Sequence, residues 1–283
     1  MENLMTYRSL LVLLDSSPLC ASRVDCAIRI AKSFEAHLVG LAPTGIVDMP
    51  VATESAASLA EYATLAWNTL RAEAAQSVEQ FRQTCRAAGF QSFETQVDDE
   101  SKARSLVSHA HCSDLTVLSQ ADPSSPGHAA MRETVEQVIL YSARPTLVLP
   151  YAGRFDTVGT TAMVAWDNSR EAARAVADAL PFLRAAQTVH VVSWEEQRNE
   201  DGGLRPSLDA LQRWLMWQGV TAEIHVERSG IPIAQAMLSR AADLSADLIV
   251  MGAYGHARWS ERLLGGATRG LLDAMTAPVL MSH

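Results

Sequence analysis

The sequence predicts an α/β protein built from two tandem copies of one parallel-sheet unit. Three observations carry this. Short apolar runs bounded by turn residues alternate with segments of helical periodicity through all 283 residues, the pattern of parallel strands joined by right-handed crossover helices. Asp114-Leu115-Thr116-Val117-Leu118 aligns with Asp247-Leu248-Ile249-Val250-Met251 at an offset of 133 (247 − 114), which also lays Pro145 on Pro278 and Leu147 on Leu280. Near the start of each copy, LLVLLDSSP around Asp15 matches TAMVAWDNS around Asp167 at an offset of 152 (167 − 15). The first copy therefore carries 19 more residues between these anchors (152 − 133). The units are assigned to residues 1–150 and 160–283, and Tyr151–Gly159, with two glycines, reads as the connector.

Taken in order, Leu10–Leu14 is the first strand, followed by Ser17 as an N-cap and Pro18 at the first helical position. Val24, Ala27, Ile28 and Ala31 form that helix's apolar face. His37–Ala42 is the second strand and Pro43–Ala57 a loop that holds much of the extra length. A long helical pattern runs from Leu59 to Ala88, with Tyr62, Ala66, Leu70, Ala74, Val78 and Phe81 near one stripe. Phe93, Thr95 and Val97 alternate as a half-buried strand does. Ser101–His111 is a helix, Leu115–Leu118 a strand, Met131–Tyr141 a helix and Thr146–Leu149 the last strand. In the second copy, strands are expected at Ala162–Trp166, Val189–Ser193, Ala222–Val226, Leu248–Met251 and Val279–Met281. Helices are expected at Arg170–Leu183, Pro206–Gln218, Ile231–Ala242 and Ala267–Met275.

The most informative stretch is Asp247–Ser282. An apolar strand is followed at once by Gly252 and Gly255, then a polar loop, then Gly265-Gly266 at the start of a helix that Pro278 stops. Strand, glycine loop and helix place backbone N–H groups and a positive helix end at the carboxyl edge of a sheet, where an anion binds without a cationic side chain. With ADLIVM before it and TAPVL after it, this spacing resembles the nucleotide-binding signature of the universal stress protein family. In that family Ser or Thr normally follows the last glycine; here Gly266 stands there, and the nearest hydroxyl is Thr268.

The resemblance implies a doubly wound, five-stranded sheet of order 3-2-1-4-5 in each copy, with flanking helices. It also implies that the last strands, Thr146–Leu149 and Val279–Met281, join the copies as a pseudo-twofold pair within the chain, homodimer formation being left open. Short apolar edges of this kind are paired or covered. In such open sheets a ligand sits past the carboxyl ends of strands one and four, which brings Asp167 and Gly252 together. Asp167 would accept hydrogen bonds from an adenine amine or a ribose hydroxyl; alternatively it favours the N-terminus of the helix beginning near Arg170. Ala165 and Val192 would give backbone groups and an apolar wall to the base; without the resemblance both are core residues. Gly252, Gly255, Gly265, Gly266 and Ala267 would hold phosphates, although paired glycines are also common in plain turns. Arg258, His256 and Arg269 lie in or beside the loop and read as solvated charges. The implied cofactor is ATP, with or without magnesium, and the implied role is regulation or protection in the stress response. A rival of another class is a non-nucleotide module serving dimerisation and protein partners, which Gly266 favours.

The first copy departs from this pattern. Ser119 matches Gly252, Asp122 replaces Gly255, and Arg132-Glu133 replace Gly265-Gly266. Side chains at the turns close the backbone approach, and Asp122 and Glu133 repel phosphate. This copy is expected to bind no nucleotide in the family manner.

Composition narrows the rest. Apolar content of 48% and charged content of 19% fit a soluble globular chain, and no apolar run reaches a membrane span. The start of the chain has no basic n-region and reads as a strand, so a cytoplasmic location is expected. A net charge of −9 argues against nucleic acid or anionic membrane as partners. Cys20, Cys26, Cys85 and Cys112 show no metal or redox spacing and read as thiols in a reducing compartment. No P-loop, nucleophile elbow or H-E-x-x-H occurs, and Ser16-Ser17 lacks the glycines of an amidating ligase's pyrophosphatase loop. The eight histidines are scattered and no catalytic residue is assigned.

Overall fold

The structure is a computed structural model and describes residues 6–46, 57–195, 205–255 and 266–283. In the first half the strands are β1 (Ser9–Leu13), β2 (His37–Pro43), β3 (Phe93–Asp98), β4 (Leu115–Ser119) and β5 (Thr146–Leu149). The helices are α1 (Cys20–Ser33), α2 (Ala57–Ala87), α3 (Lys102–Ala110) and α4 (His128–Tyr141). In the second half the strands are β6 (Thr161–Ala165), β7 (Thr188–Glu195), β8 (Glu223–Arg228), β9 (Leu248–Gly252) and β10 (Val279–Ser282). Its helices are α5 (Arg170–Asp178), α6 (Leu180–Ala185), α7 (Arg205–Trp217), α8 (Ile233–Asp243) and α9 (Gly266–Ala274).

All ten strands form one sheet in the order β3-β2-β1-β4-β5-β10-β9-β6-β7-β8. Each half thus has the order 3-2-1-4-5 and is parallel throughout. The halves meet where β5 pairs antiparallel with β10, Leu147 opposite Leu280. The expected pair of sheets is therefore one continuous sheet, since the two short apolar edges satisfy each other's backbone groups.

Alternation along the strands divides the core between the two faces of the sheet. One face collects Leu10, Val12, Leu38, Val164, Val191 and Val250 under α1, α2, α5, α6 and α7. The other collects Leu11, Leu13, Met163, Val192, Ile249 and Met281 under α3, α4, α8 and α9. On the first face Tyr7, Phe34 and Phe182 meet edge to face, with centroids 5.1–5.5 Å apart, and the Tyr7 hydroxyl donates to the Asp178 carbonyl at 2.7 Å. This cluster joins residues of both halves.

Two local expectations are corrected. The helix expected over Arg170–Leu183 is two, α5 and α6, because Pro181 lacks an N–H and stands in the first turn of α6. Ser17 is not an N-cap: α1 starts at Cys20 without a side-chain cap, and the Ser17 hydroxyl donates instead to Asp15 at 2.6 Å. The alternation in β3 also stops short, since Val97 is exposed on this edge strand. Among the described residues no helix is long and apolar enough to cross a membrane, and all four cysteines are free.

Candidate nucleotide site

The site is assembled from the carboxyl ends of β6 and β9 and the first described turn of α9. After β6 the chain passes through Asp167 and Asn168, the latter left-handed at φ 59°, and Ser169 caps α5 by accepting from the Ala172 N–H at 3.1 Å. The Asp167 carboxylate accepts the Ser169 N–H at 2.9 Å, so it organises this turn while its side chain stays exposed. Asp167 thus helps to organise the turn that starts α5, and it also lines the adjoining cavity.

After β9, Tyr254 is held at φ 54°, a backbone conformation a bulky side chain rarely takes. Its N–H donates to the buried Thr268 hydroxyl of α9 at 3.1 Å. The hydroxyl nearest the missing family Ser or Thr thus accepts a bond that ties the loop to the helix. Burial and the nearby Glu136 carboxylate of α4 push the Tyr254 phenol up to about 12.

Between these turns lies a cavity of about 270 Å³, slightly below the roughly 300–1,000 Å³ usual for small-molecule sites. Of the eight sequence-predicted residues, Ala165, Asp167, Gly252, Gly255, Gly266 and Ala267 line it. Val192 does not: it is wholly buried in the core, and its carbonyl accepts the Trp166 N–H at 2.9 Å. Gly265, with His256 and Arg258, lies outside the described residues. The apolar walls come from Ile233 and Met237 of α8, Met251 and Trp194, which sequence reasoning missed. Their signal, apolar residues at strand ends and on a helix face, is the same as that of any core position.

The two described loop glycines have a role the sequence did not disclose. A Cβ on Gly252 would come within 2.4 Å of the Ala172 nitrogen and 2.5 Å of the Glu171 carbonyl carbon. Gly252 therefore lets the first turn of α5 close on the end of β9. A Cβ on Gly255 would stand 3.0 Å from the Glu171 carboxylate. Glu171 is buried behind the loop and paired with Arg170 at 2.7 Å. Burial raises its pKa, but the hydrogen bond and charge of Arg170, a backbone N–H and the nearby His283 together hold it below the ordinary value.

In the first half an arginine fills the space at the ends of β1 and β4, while a cavity of about 500 Å³ remains beside it between β2, α3 and α4. Arg23, only 1% exposed, reaches from α1 into the gap between β1 and β4. It donates to the Leu13 carbonyl at 2.9 Å, the Ser119 hydroxyl at 2.9 Å and the Asp15 carboxylate at 2.9 Å. Lys102 adds a cation 3.8 Å from Asp15. Burial raises the Asp15 pKa, yet Arg23, Lys102 and the Ser17 hydroxyl together hold it below the ordinary carboxylate value. The counterparts of Asp167 and Gly252 are thus spent on each other, through an arginine that sequence reasoning did not single out. Glu133, the counterpart of Gly266, lies inside α4 five residues past its start at His128, where backbone N–H groups are already bonded along the helix.

These features are those of an open α/β sheet with a cavity at the switch point of its second half. A family model, "Universal stress protein family", matches residues 160–283, so the second half is similar in sequence to that family. The whole chain is similar in structure to a universal stress protein from Archaeoglobus fulgidus, with a TM-score of 0.69 and 16% identity over 97% of this chain and 95% of that one. It is also similar to a functionally unknown protein from Pseudomonas aeruginosa, with a TM-score of 0.61 and 19% identity over 98% of this chain and 92% of that one. At such identities the likeness shows the tandem fold. No curated protein sequence matches the chain.

Proposed function

We propose that the second half binds one adenine nucleotide, ATP or a close relative, and that the chain acts as a cytoplasmic regulator or protector in the stress response. The observation that supports this most is the convergence of Ala165, Asp167, Gly252, Gly255, Gly266 and Ala267, drawn from three separate elements, on one cavity. The cavity has the two characters a nucleotide needs. Ile233, Met237 and Met251 offer an apolar slot for a base, and Asp167 at its mouth is an acceptor for an amine or a sugar hydroxyl. The backbone of Gly266 and Ala267 in the first described turn of α9 supplies N–H donors for phosphate. Among the described residues Asp167 is the only carboxylate lining the cavity, so magnesium would be held by the phosphates and, through water, by Asp167.

Titration calorimetry with ATP, ADP and AMP tests this. Binding at one site per chain is expected, and Asp167→Ala should weaken it about tenfold, the loss of one or two hydrogen bonds. No heat with any of the three would favour the rival reading of a protein-interaction module. One observation leans that way: Thr268, whose hydroxyl is nearest the missing Ser or Thr, is buried against the Tyr254 N–H.

A further inference from the structure

On the far edge of the second half, β7 and β8 pair in parallel with His190 opposite Glu223 and Val192 opposite His225. Residues two apart share a face, so Glu223 and His225 flank His190 on the side covered by α8. Three ligand atoms converge there. His190 Nδ1 lies 3.1 Å from His225 Nε2 and 3.3 Å from Glu223 Oε2, and the latter two are 3.9 Å apart. The point equidistant from all three is about 2.0 Å from each, the bond length zinc makes to imidazole nitrogen and carboxylate oxygen. An ion fits at that point, or just above its plane, without moving the backbone.

We infer that His190, Glu223 and His225 form a binding site for zinc(II) or a similar borderline divalent transition metal, separate from the nucleotide cavity. Two imidazoles and one carboxylate are a donor set that suits zinc and disfavours magnesium or calcium, which take oxygen ligands. His190 is buried and His225 half-buried, whereas Glu223 is exposed. A fourth, solvent-facing position is therefore left for water. The metal would pin the edge strand β8 to β7.

One neighbour decides how the ion enters. Arg240 of α8 places Nη2 3.2 Å from His225 Nδ1. A guanidinium only donates, so Nδ1 is the bare nitrogen and the ring proton sits on Nε2, directed at His190. Zinc needs Nε2 bare, so the ring must carry its proton on Nδ1, and Arg240 must let go. Glu227, 2.7 Å from Arg240 Nε, is the counter-ion to which it withdraws. Arg240 thus competes with the metal by charge and by tautomer.

The test is zinc titration of the full-length protein after treatment with a chelator, followed by cobalt(II) as a spectroscopic substitute. One ion per chain is expected, with the intense visible absorption of four-coordinate cobalt. His225→Ala should abolish binding. Glu223→Ala, which alters an exposed side chain and leaves folding intact, should weaken it at least tenfold. Arg240→Gln should tighten it about tenfold, which a purely structural histidine pair would not predict. Zinc binding that is unchanged in His225→Ala and Glu223→Ala would overturn the assignment, as would its absence in both the wild type and Arg240→Gln. A loss of affinity in Arg240→Gln would overturn the competing role of the arginine.

Discussion

Leu147 and Leu280 face each other in the β5–β10 ladder, and they are the same position of the two repeats (280 − 147 = 133). The same holds for Glu136 and Arg269, also 133 apart, whose side chains approach to 3.5 Å. Counterparts can touch each other only on a twofold axis. The pseudosymmetry of the chain therefore runs through one apolar pair in the sheet and one charged pair between α4 and α9. Gln120 reinforces the junction off the axis, donating to the Leu272 carbonyl at 2.8 Å and accepting the Tyr151 N–H at 3.1 Å.

Both leucines are fully buried, so Leu147→Ala and Leu280→Ala should each lower stability by about 2–5 kcal/mol. Because the two side chains share one contact, the double variant should fall short of the sum. Urea denaturation of the three variants checks this. Additive losses would mean that the two leucines do not pack together in solution.

Gly252→Ala should damage folding before it damages binding. The added methyl would meet the Ala172 nitrogen at 2.4 Å, and backbone cannot swing aside as a side-chain tip can. A loss of about 3 kcal/mol or more is expected, at the upper end of overpacking effects. A thermal melt unchanged from wild type would show that α5 and β9 stand further apart in solution.

The buried network of the first half should be visible in acid. Asp15 has a pKa lowered from 3.8 when folded, so its contribution to stability is complete above that value and fades as pH falls through the folded value. Asp15→Asn leaves Arg23 buried without its carboxylate. At neutral pH this should cost about 3 kcal/mol, the lower end for a broken buried pair, because Leu13 and Ser119 still accept from the guanidinium. The stability gap between wild type and variant should close as pH drops below about 4. A gap that is constant with pH would remove the charge pair as its cause.

The fold was legible because a parallel sheet writes each strand as an apolar run, and because the repeat wrote it twice. The strand order in both halves and the joining of β5 to β10 needed the family resemblance as well, since periodicity carries no neighbour information. The glycine loop was legible as a loop, but the direction of a missing Cβ is not a sequence property. That is why Gly252 read only as room for phosphate, although its missing Cβ also makes room for α5. Arg23 was invisible for a related reason: a lone arginine in an amphipathic helix reads as surface until the strand ends it fills are in place. His190 and His225 are 35 residues apart (225 − 190), and only the β7–β8 register brings them together.

The last prediction turns on Gly266, exposed in the first described turn of α9 and lining the cavity. Two substitutions there pull affinity in opposite directions while leaving the core untouched. Gly266→Ser restores the hydroxyl that the family signature carries at this place, adding one donor toward a phosphate oxygen. A hydrogen bond to a charged group contributes about 1.5–3 kcal/mol, so ATP affinity should rise at least tenfold. Gly266→Asp puts a carboxylate where the phosphate would lie. Negative charge near a helix start is favourable for folding, so the variant should melt no lower than wild type, yet repulsion should remove ATP binding. In both, adenosine should bind as it does to the wild type, because the base slot of Ile233, Met237 and Met251 is unchanged. Hydrolysis should stay far below ordinary enzyme turnover of about 10 per second in every case. Backbone donors hold ground state and transition state alike, and uniform binding does not speed the chemical step. Calorimetry with ATP and adenosine on the three proteins, with phosphate release measured alongside, reads all of this. ATP affinity unmoved by Gly266→Asp would place the phosphates away from α9.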